Sequence, residues 1–496
     1  MTGECVENDA RTRMKRHLLD LPTEILEQIT SFVVPDFTPG RFMPTATLQS
    51  IRNPDDWKAD CQAIRLTCRR FADLKIPAAA LFYDIHLYPM KFSLAQFELL
   101  ASSKLAPFVR RIVLKQPRFL KELITRRVYF NERFNPPSSH SKSEESGYED
   151  YKAAFAEQEA VFDSGSFAQS LKRCTSNFPK LASVVIDRVI SDYGYGTPAT
   201  LHESAAEQDG RWQANSSFLR KRYPRCKSPF EAGLMMAEFT STYGFLATAL
   251  HALARCSLQL SEMSIHAHVR LSHEGNDQDQ GSADLDVSHM RFLDISLSRQ
   301  NGDSHKLSTL VRPILQGNLD QLERLVVEFW NSDHVDNINP LLARLFDRRL
   351  PSLRQFHLSI DQDFGDNDAS ASLGRFIRLN PSIKKFLLLD SFMMAQSWRK
   401  LFEAIRERQF SWVKLRGCEN EAIDRLHEAA ENLYLGFFEA IITDESMMLD
   451  SRTEGVRLEY YGGQHKRGSE LEEYLRGRGL WTSNLKEAFG EMNNGT

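Results

Sequence analysis

Cysteine is sparse in this sequence and shows no pairing pattern. Seven cysteines, an odd number, are scattered over 496 residues without a C-x-x-C pair. That argues against a secreted disulfide scaffold or a zinc-binding array, and for reduced thiols in the cytosol or nucleus. No apolar run approaches the ~20 residues that cross a bilayer, and Met1 to Arg16 carry charges without an apolar leader segment. A soluble chain with no membrane partner is the expectation. Neither sign of charge dominates, since 62 basic residues stand against 66 acidic ones for a net charge of −4. Bulk attraction to nucleic acid is therefore missing, which argues against a nucleic-acid partner. Catalytic signatures are also missing: there is no P-loop, no G-x-G-x-x-G and no G-x-S-x-G, and Gly302-Asp303-Ser304 reads as a turn. No cofactor is implied, and no thiol stands out as a nucleophile.

What is present is an ordinary globular composition, 42% hydrophobic and 26% charged, in a chain long enough for two or three domains or one extended solenoid. The first strong pattern runs from Leu18 to Val34. Leu21, Ile25, Leu26, Ile29, Phe32 and Val33 recur at helical spacing, Pro22 suits a first helical turn, Glu24 suits the positive helix start, and Pro35 marks the stop. A second amphipathic helix is expected from about Trp57, with Cys61, Ile64, Cys68 and Phe71 on one face and Leu66 and Leu74 widening it. Lys75 to Phe82 should end the helical region and lead into a strand at Tyr83 to Leu87.

At these residues the sequence resembles the F-box family. The resemblance is carried by Leu21-Pro22-Thr23-Glu24-Ile25-Leu26-x-x-Ile29, then Ile64-Arg65-Leu66-Thr67-Cys68-Arg69-Arg70-Phe71-x-x-Leu74, then Leu81-Phe82, and covers about residues 18 to 82. It implies a helical hook that docks on a Skp-type adaptor and, through it, on a cullin. By the same resemblance Leu21, Pro22, Ile25, Leu26, Ile29, Leu66 and Phe71 divide between adaptor contact and packing of the hook. Residues 35–56 form an insertion between the two helices, rich in proline and similar to insertions in F-box proteins of filamentous fungi. They read as a surface loop.

Beyond the hook a pattern of apolar-x-x-apolar-x-apolar recurs. Its regular copies are Leu260/Met263/Ile265, Met290/Leu293/Ile295, Leu322/Leu325/Val327, Leu353/Phe356/Leu358, Ile383/Phe386/Leu388 and Phe410/Val413/Leu415, with starts 30, 32, 31, 30 and 27 residues apart. Earlier, irregularly spaced copies are Phe82/Ile85/Leu87, Val109/Ile112/Leu114 and Leu181/Val184/Ile186. Amphipathic helices lie between them. The period resembles a degenerate leucine-rich repeat and predicts an α/β fold in which a helical F-box precedes a βα solenoid with a helical C-terminal cap. A doubly wound α/β domain is the competing architecture, because alternation of strands and helices alone does not separate the two. Pro313 should kink or end its helix.

The expected organisation is a flexible tail at 1–17, the hook at 18–82, the solenoid at 83–418 and a cap at 419–496. Polar inserts near 131–168, 191–229 and 272–288 should be mobile. The cap contains an apolar helical pattern at Ile423, Leu426, Leu433, Phe437, Phe438 and Ile441.

Strand residues flanking the two inward apolar positions should face the concave surface. This candidate target-binding set is Arg111, Lys115, Asp187, Glu262, Ser264, His266, Asp294, Arg324, Glu328, Gln355, His357, Lys385, Trp412, Lys414 and Arg416. Its mixed charge suits a protein target, whose identity the sequence does not carry. The basic run Arg220 to Lys227 reads as a solvated loop, a phosphate-binding patch or an import signal. His266 and His268 alternate on one strand near His251 and His273, but the spacing of a metal site is not evident. The Asp-rich runs at Asp277 and Asp361 lack the glycine and glutamate positions of a calcium loop. Together these features point to a non-catalytic substrate-recognition adaptor of a ubiquitin ligase; a solenoid interaction scaffold outside any ligase is the alternative.

Overall fold

The computed structural model describes residues 21–31, 54–116, 124–125, 142–188, 240–270, 285–300, 304–330, 339–363, 368–393, 395–408, 410, 412–420, 438–443, 474 and 480. The tail at 1–17, residues 35–53 of the expected 35–56 loop, the inserts at 191–229 and 272–284, the basic run Arg220 to Lys227 and most of the cap lie outside them, and residues 54–56 belong to a helix.

Four helices open the described chain: α1 (Thr23–Ser31), α2 (Pro54–Thr67), the single turn α3 (Arg69–Ala72) and α4 (Lys75–Phe82). The stripe expected to form one helix from Trp57 to Phe71 is broken at Cys68, whose backbone is extended. Thr67 and Cys68 are poor helix formers, and the break returns Phe71 and Leu74 onto Leu26, where the three form a small separate core. Lys75 to Phe82 is a helix of its own, not a terminating segment, with Pro77 in its first turn, where a missing N–H costs little.

An α/β body follows, with a parallel sheet interleaved with helices. Its strands are β1 (Asp84–Leu87), β2 (Arg111–Gln116), β3 (Ser183–Arg188), β4 (Thr240–Thr242), β5 (Glu262–Arg270), β6 (Phe292–Gln300), β7 (Arg324–Trp330), β8 (Gln355–Asp363), β9 (Lys385–Met393), β10 (Trp412–Asn420) and β11 (Phe438–Thr443). The helices between them are α5 (Lys91–Ala101), α6 (Lys142–Asp163), α7 (Ser166–Thr175), α8 (Tyr243–Ala254), α9 (Ser304–Gln316), α10 (Asn339–Phe346), α11 (Asp368–Leu379) and α12 (Ala395–Glu407). Strands follow one another in chain order across the sheet, and all pairs but β10–β11 are parallel. That monotonic order is compatible with a βα solenoid and shows, among the described strands, no reversal of the kind that defines a doubly wound sheet.

In all nine apolar triplets the second and third residues fall on a strand, and the first lies just before it. Ile112, Val184, Met263, Leu293, Leu325, Phe356, Phe386 and Val413 are buried at equivalent register positions, with helix residues such as Leu310, Ile314, Phe376, Trp398 and Phe402 packed over them in one core. Phe356 and Phe386 stack across adjacent strands at 5.9 Å between ring centroids. The irregular early copies share this geometry. A backbone ladder runs through the turns before the strands, in which Tyr83, Arg110, Ala182, Ser261, Arg291, Glu323 and Arg354 carbonyls each accept two N–H groups from the next repeat. It is continuous from β1 to β9, so the long insertions leave the repeat register intact. β3 and β4 pair with successive stretches of the same edge of β5.

Two expectations are corrected and a third is narrowed. The insert near 131–168 contains α6, with Tyr148, Tyr151, Ala154, Gln158 and Val161 buried along one face. That stripe begins inside the polar run and becomes apparent only with the residues beyond it. Phe438 and Ile441 lie on β11, a strand antiparallel to β10, not on a helix. A short apolar run suits either state, and the unpaired edge of β10 selects the strand. Of the two outcomes expected at Pro313, a kink or an end, the end is excluded, because the helix continues to Gln316. Among the described residues no helix is long and apolar enough to cross a membrane.

Candidate functional site

Two surfaces carry the sequence-predicted residues. The first is the hook. The Pro22 carbonyl accepts the Ile25 and Leu26 N–H groups at 3.1 Å each and so starts α1. Arg70 reaches the Leu21 carbonyl at 2.5 Å. The Glu27 carboxylate accepts the Lys75 and Ile76 N–H groups, capping α4, which has no capping side chain of its own. These contacts divide the hook residues by role. Leu26 and Phe71 are buried and Leu21 packs against them, whereas Pro22 is exposed and Ile25, Ile29 and Leu66 remain 41%, 39% and 78% exposed. Ile25 and Ile29 are one helical turn apart and so share a face of α1.

The second surface is the sheet face opposite the helices. Along each strand alternate residues leave the core, and parallel register aligns them in rows. One row runs Asp84, Arg111, Ser183, Glu262, Phe292, Arg324, Gln355, Lys385 and Trp412. The next runs His86, Val113, Val185, Ser264, Asp294, Val326, His357, Leu387 and Lys414. A third carries Lys115 and Asp187 at one end, then His266, Ser296, Glu328, Ser359, Leu389 and Arg416. Trp412, Lys414 and Arg416 are placed by backbone register.

Arg111, Lys115, Glu262 and Glu328, expected as exposed contacts, are buried. Arg111 donates through Nη2 to Glu262 Oε2 at 2.8 Å and through Nε to Ser183 Oγ at 3.2 Å, and its Nη1 lies 3.4 Å from Asp84 Oδ1. Ser183 donates to the same Glu262 oxygen at 2.6 Å, and the Tyr83 ring lies 5.8 Å from the guanidinium. Burial works against the Arg111 charge, but Asp84 and Glu262 more than offset it and hold the guanidinium above its ordinary range. Asp84 and Ser183 were missed as partners, although their position just before the second apolar residue of each triplet aligns them with Arg111 and Glu262.

Further along, His266 Nε2 lies 3.7 Å from Asp294 Oδ2, and His357 Nε2 lies 3.5 Å from Glu328 Oε1. A carboxylate at that distance would favour an imidazolium. Burial of the His357 ring and the nearby Arg324 guanidinium oppose this and lower its pKa to about 4, so the imidazole is neutral. Asp294 Oδ1, His357 Nε2 and Ser359 Oγ are buried without a hydrogen-bond partner. Among the described residues the half-buried Arg324 side chain has no hydrogen-bond or ion-pair partner, and the exposed side chains of Gln355 and Lys385 have none either.

Among the described residues no group of three His, Cys, Asp or Glu could hold a metal ion. Burial pushes the Cys61 thiol up to about 11 and raises that of Cys174 as well, and a thiol protonated at neutral pH is a poor nucleophile. No protein-family model matches the chain, and no curated protein matches it.

Proposed function

We propose that this chain is a substrate-recognition subunit of a Skp-cullin-F-box ubiquitin ligase. In this reading α1 to α4 form the F-box that docks a Skp-type adaptor, and a leucine-rich-repeat-like solenoid holds a target protein on the open sheet face. The chain then contributes proximity and orientation, not bond chemistry. The observation that carries the reading is the division of the hook's apolar residues. Leu26, Phe71 and Leu74 are enough to hold the small helices together, yet Ile25, Ile29 and Leu66 are left in water. Covering one such side chain fully contributes about 1.5–3 kcal/mol, so three of them suit a docking surface. The hook also joins the sheet without a break, since the Tyr83 carbonyl at the end of α4 begins the ladder between repeats.

The test is a pull-down of the purified full chain with a purified Skp adaptor. We expect the intact chain to be retained and the Ile25→Asp/Ile29→Asp variant to lose at least about tenfold in affinity, a change of ~1.4 kcal/mol or more. Its thermal transition should be unchanged, because both side chains are solvent-facing. An intact chain that fails to bind would leave the sheet as an interaction scaffold outside any ligase.

A further inference from the structure

The sheet face opposite the helices carries two arginines in one register row, and their partners differ completely. Arg111 is closed off by Asp84, Ser183 and Glu262. Arg324, four strands along the row, has a half-buried side chain with no hydrogen-bond or ion-pair partner among the described residues, and the side chains of its row neighbours Gln355 and Lys385 have none. Two cations and an amide therefore stand side by side on β7, β8 and β9, with no acceptor for their side-chain N–H groups among the described residues. Neighbouring strands lie about 4.8 Å apart, so the three span about 10 Å, the reach of an extended peptide crossing the strands. Two carboxylates of the neighbouring rows lie against histidines, Glu328 against His357 and Asp294 against His266. Glu328 is buried with contacts of its own. Trp412 continues the row on β10 by register.

A partly desolvated guanidinium without a counter-ion is unfavourable in the free protein and becomes favourable when an anion arrives. We infer that Arg324, Gln355 and Lys385 form the specificity-determining contact for an anionic segment of the target protein, whose carboxylate or phosphate oxygens supply the missing acceptors. Arg324 would make the bidentate contact, Lys385 a second charge contact and Gln355 a neutral donor between them. This deepens the capture half of the proposed function and is independent of adaptor docking, so a failed adaptor pull-down and a failed anion contact are separately visible.

The test uses the full chain on arrays of immobilised twelve-residue peptides in three sets. All are degenerate at the other positions and carry two central glutamates, two central phosphoserines or two central glutamines. We expect retention on one or both anionic sets to exceed that on the glutamine set by about tenfold, the ratio set by one charge-assisted hydrogen-bonded contact. Preference for phosphoserine alone identifies phosphate as the source; equal retention on both anionic sets identifies carboxylate as sufficient. Arg324→Ala and Lys385→Ala should each remove most of the preference, and Arg324→Lys should restore part of it, with unchanged thermal transitions. Equal retention on all three sets, or an anionic preference that survives both alanine variants, overturns the inference.

Discussion

Arg111 and Arg324 occupy the same row of one sheet, on the same face, and differ in what surrounds them. Around Arg111 the register supplies Asp84 on one side and Ser183 and Glu262 on the other, so charge and hydrogen bonds close within four adjacent strands. Around Arg324 it supplies Phe292 and Gln355, and the next residue is another cation, Lys385. A buried charge with complete partners holds neighbouring repeats in place. One without partners leaves interaction capacity for something outside the chain. Position on the sheet face opposite the helices therefore does not by itself leave a side chain available; what decides it is whether the register supplies partners.

The largest effect that would sharpen this comparison is at Glu262. Replacing it with alanine removes the nearer carboxylate from the buried Arg111 guanidinium, Asp84 lying farther off at 3.4 Å, and removes the acceptor used by Ser183. Breaking a buried pair in this way costs about 3–5 kcal/mol. Urea denaturation of Glu262→Ala should show that loss, with a partial return in the double variant Glu262→Ala/Arg111→Met, which removes the stranded charge. A loss below about 1 kcal/mol would mean that the row is not closed as described.

A smaller effect is expected from pH at His357. Burial, with Arg324 adding to it, lowers the folded-state pKa from 6.5 to about 4. Between those values the unfolded chain binds a proton that the folded chain refuses. The contribution is therefore fully present above pH 6.5 and is lost as pH falls toward 4. By pH 5 the loss is about 2 kcal/mol, at ~1.4 kcal/mol per unit. Stability measured at pH 7 and pH 5 should fall more in the intact chain than in His357→Gln. Equal falls would show that the imidazole is not held neutral.

Much of the architecture was legible because it repeats. Nine apolar triplets give nine strands, and their interval of about thirty residues gives the strand-helix alternation. Monotonic strand order was not legible, since alternation fits a doubly wound sheet equally well. Long-range caps were hidden for a different reason. Glu27 closes the start of α4 from 48 residues away, and Glu157 accepts the Lys91 N–H at the start of α5 from 66 residues away. Neither helix shows a local capping residue to read. Asn380 likewise accepts the Leu350 N–H and donates to the Arg348 and Phe376 carbonyls, a bridge between repeats that no short motif announces. Strand alternation assigns only the direction of a side chain. Which charges are satisfied depends on register across strands up to 151 residues apart, as for Arg111 and Glu262.

The smallest expected effect is the most discriminating. Removing Arg324 should leave stability within about 0.5 kcal/mol of the intact chain, since it breaks no hydrogen bond or ion pair and only its alkyl stem contributes packing. The same substitution removes a positive neighbour of His357, so the imidazole pKa should rise in Arg324→Gln, measurable by NMR titration of the ring protons. Little change in stability together with a raised His357 pKa would place the guanidinium close to the imidazole without a structural duty, as a residue reserved for a partner must be. A loss above about 1.5 kcal/mol would make Arg324 a second Arg111, and the distinction between the two halves of the row would fail.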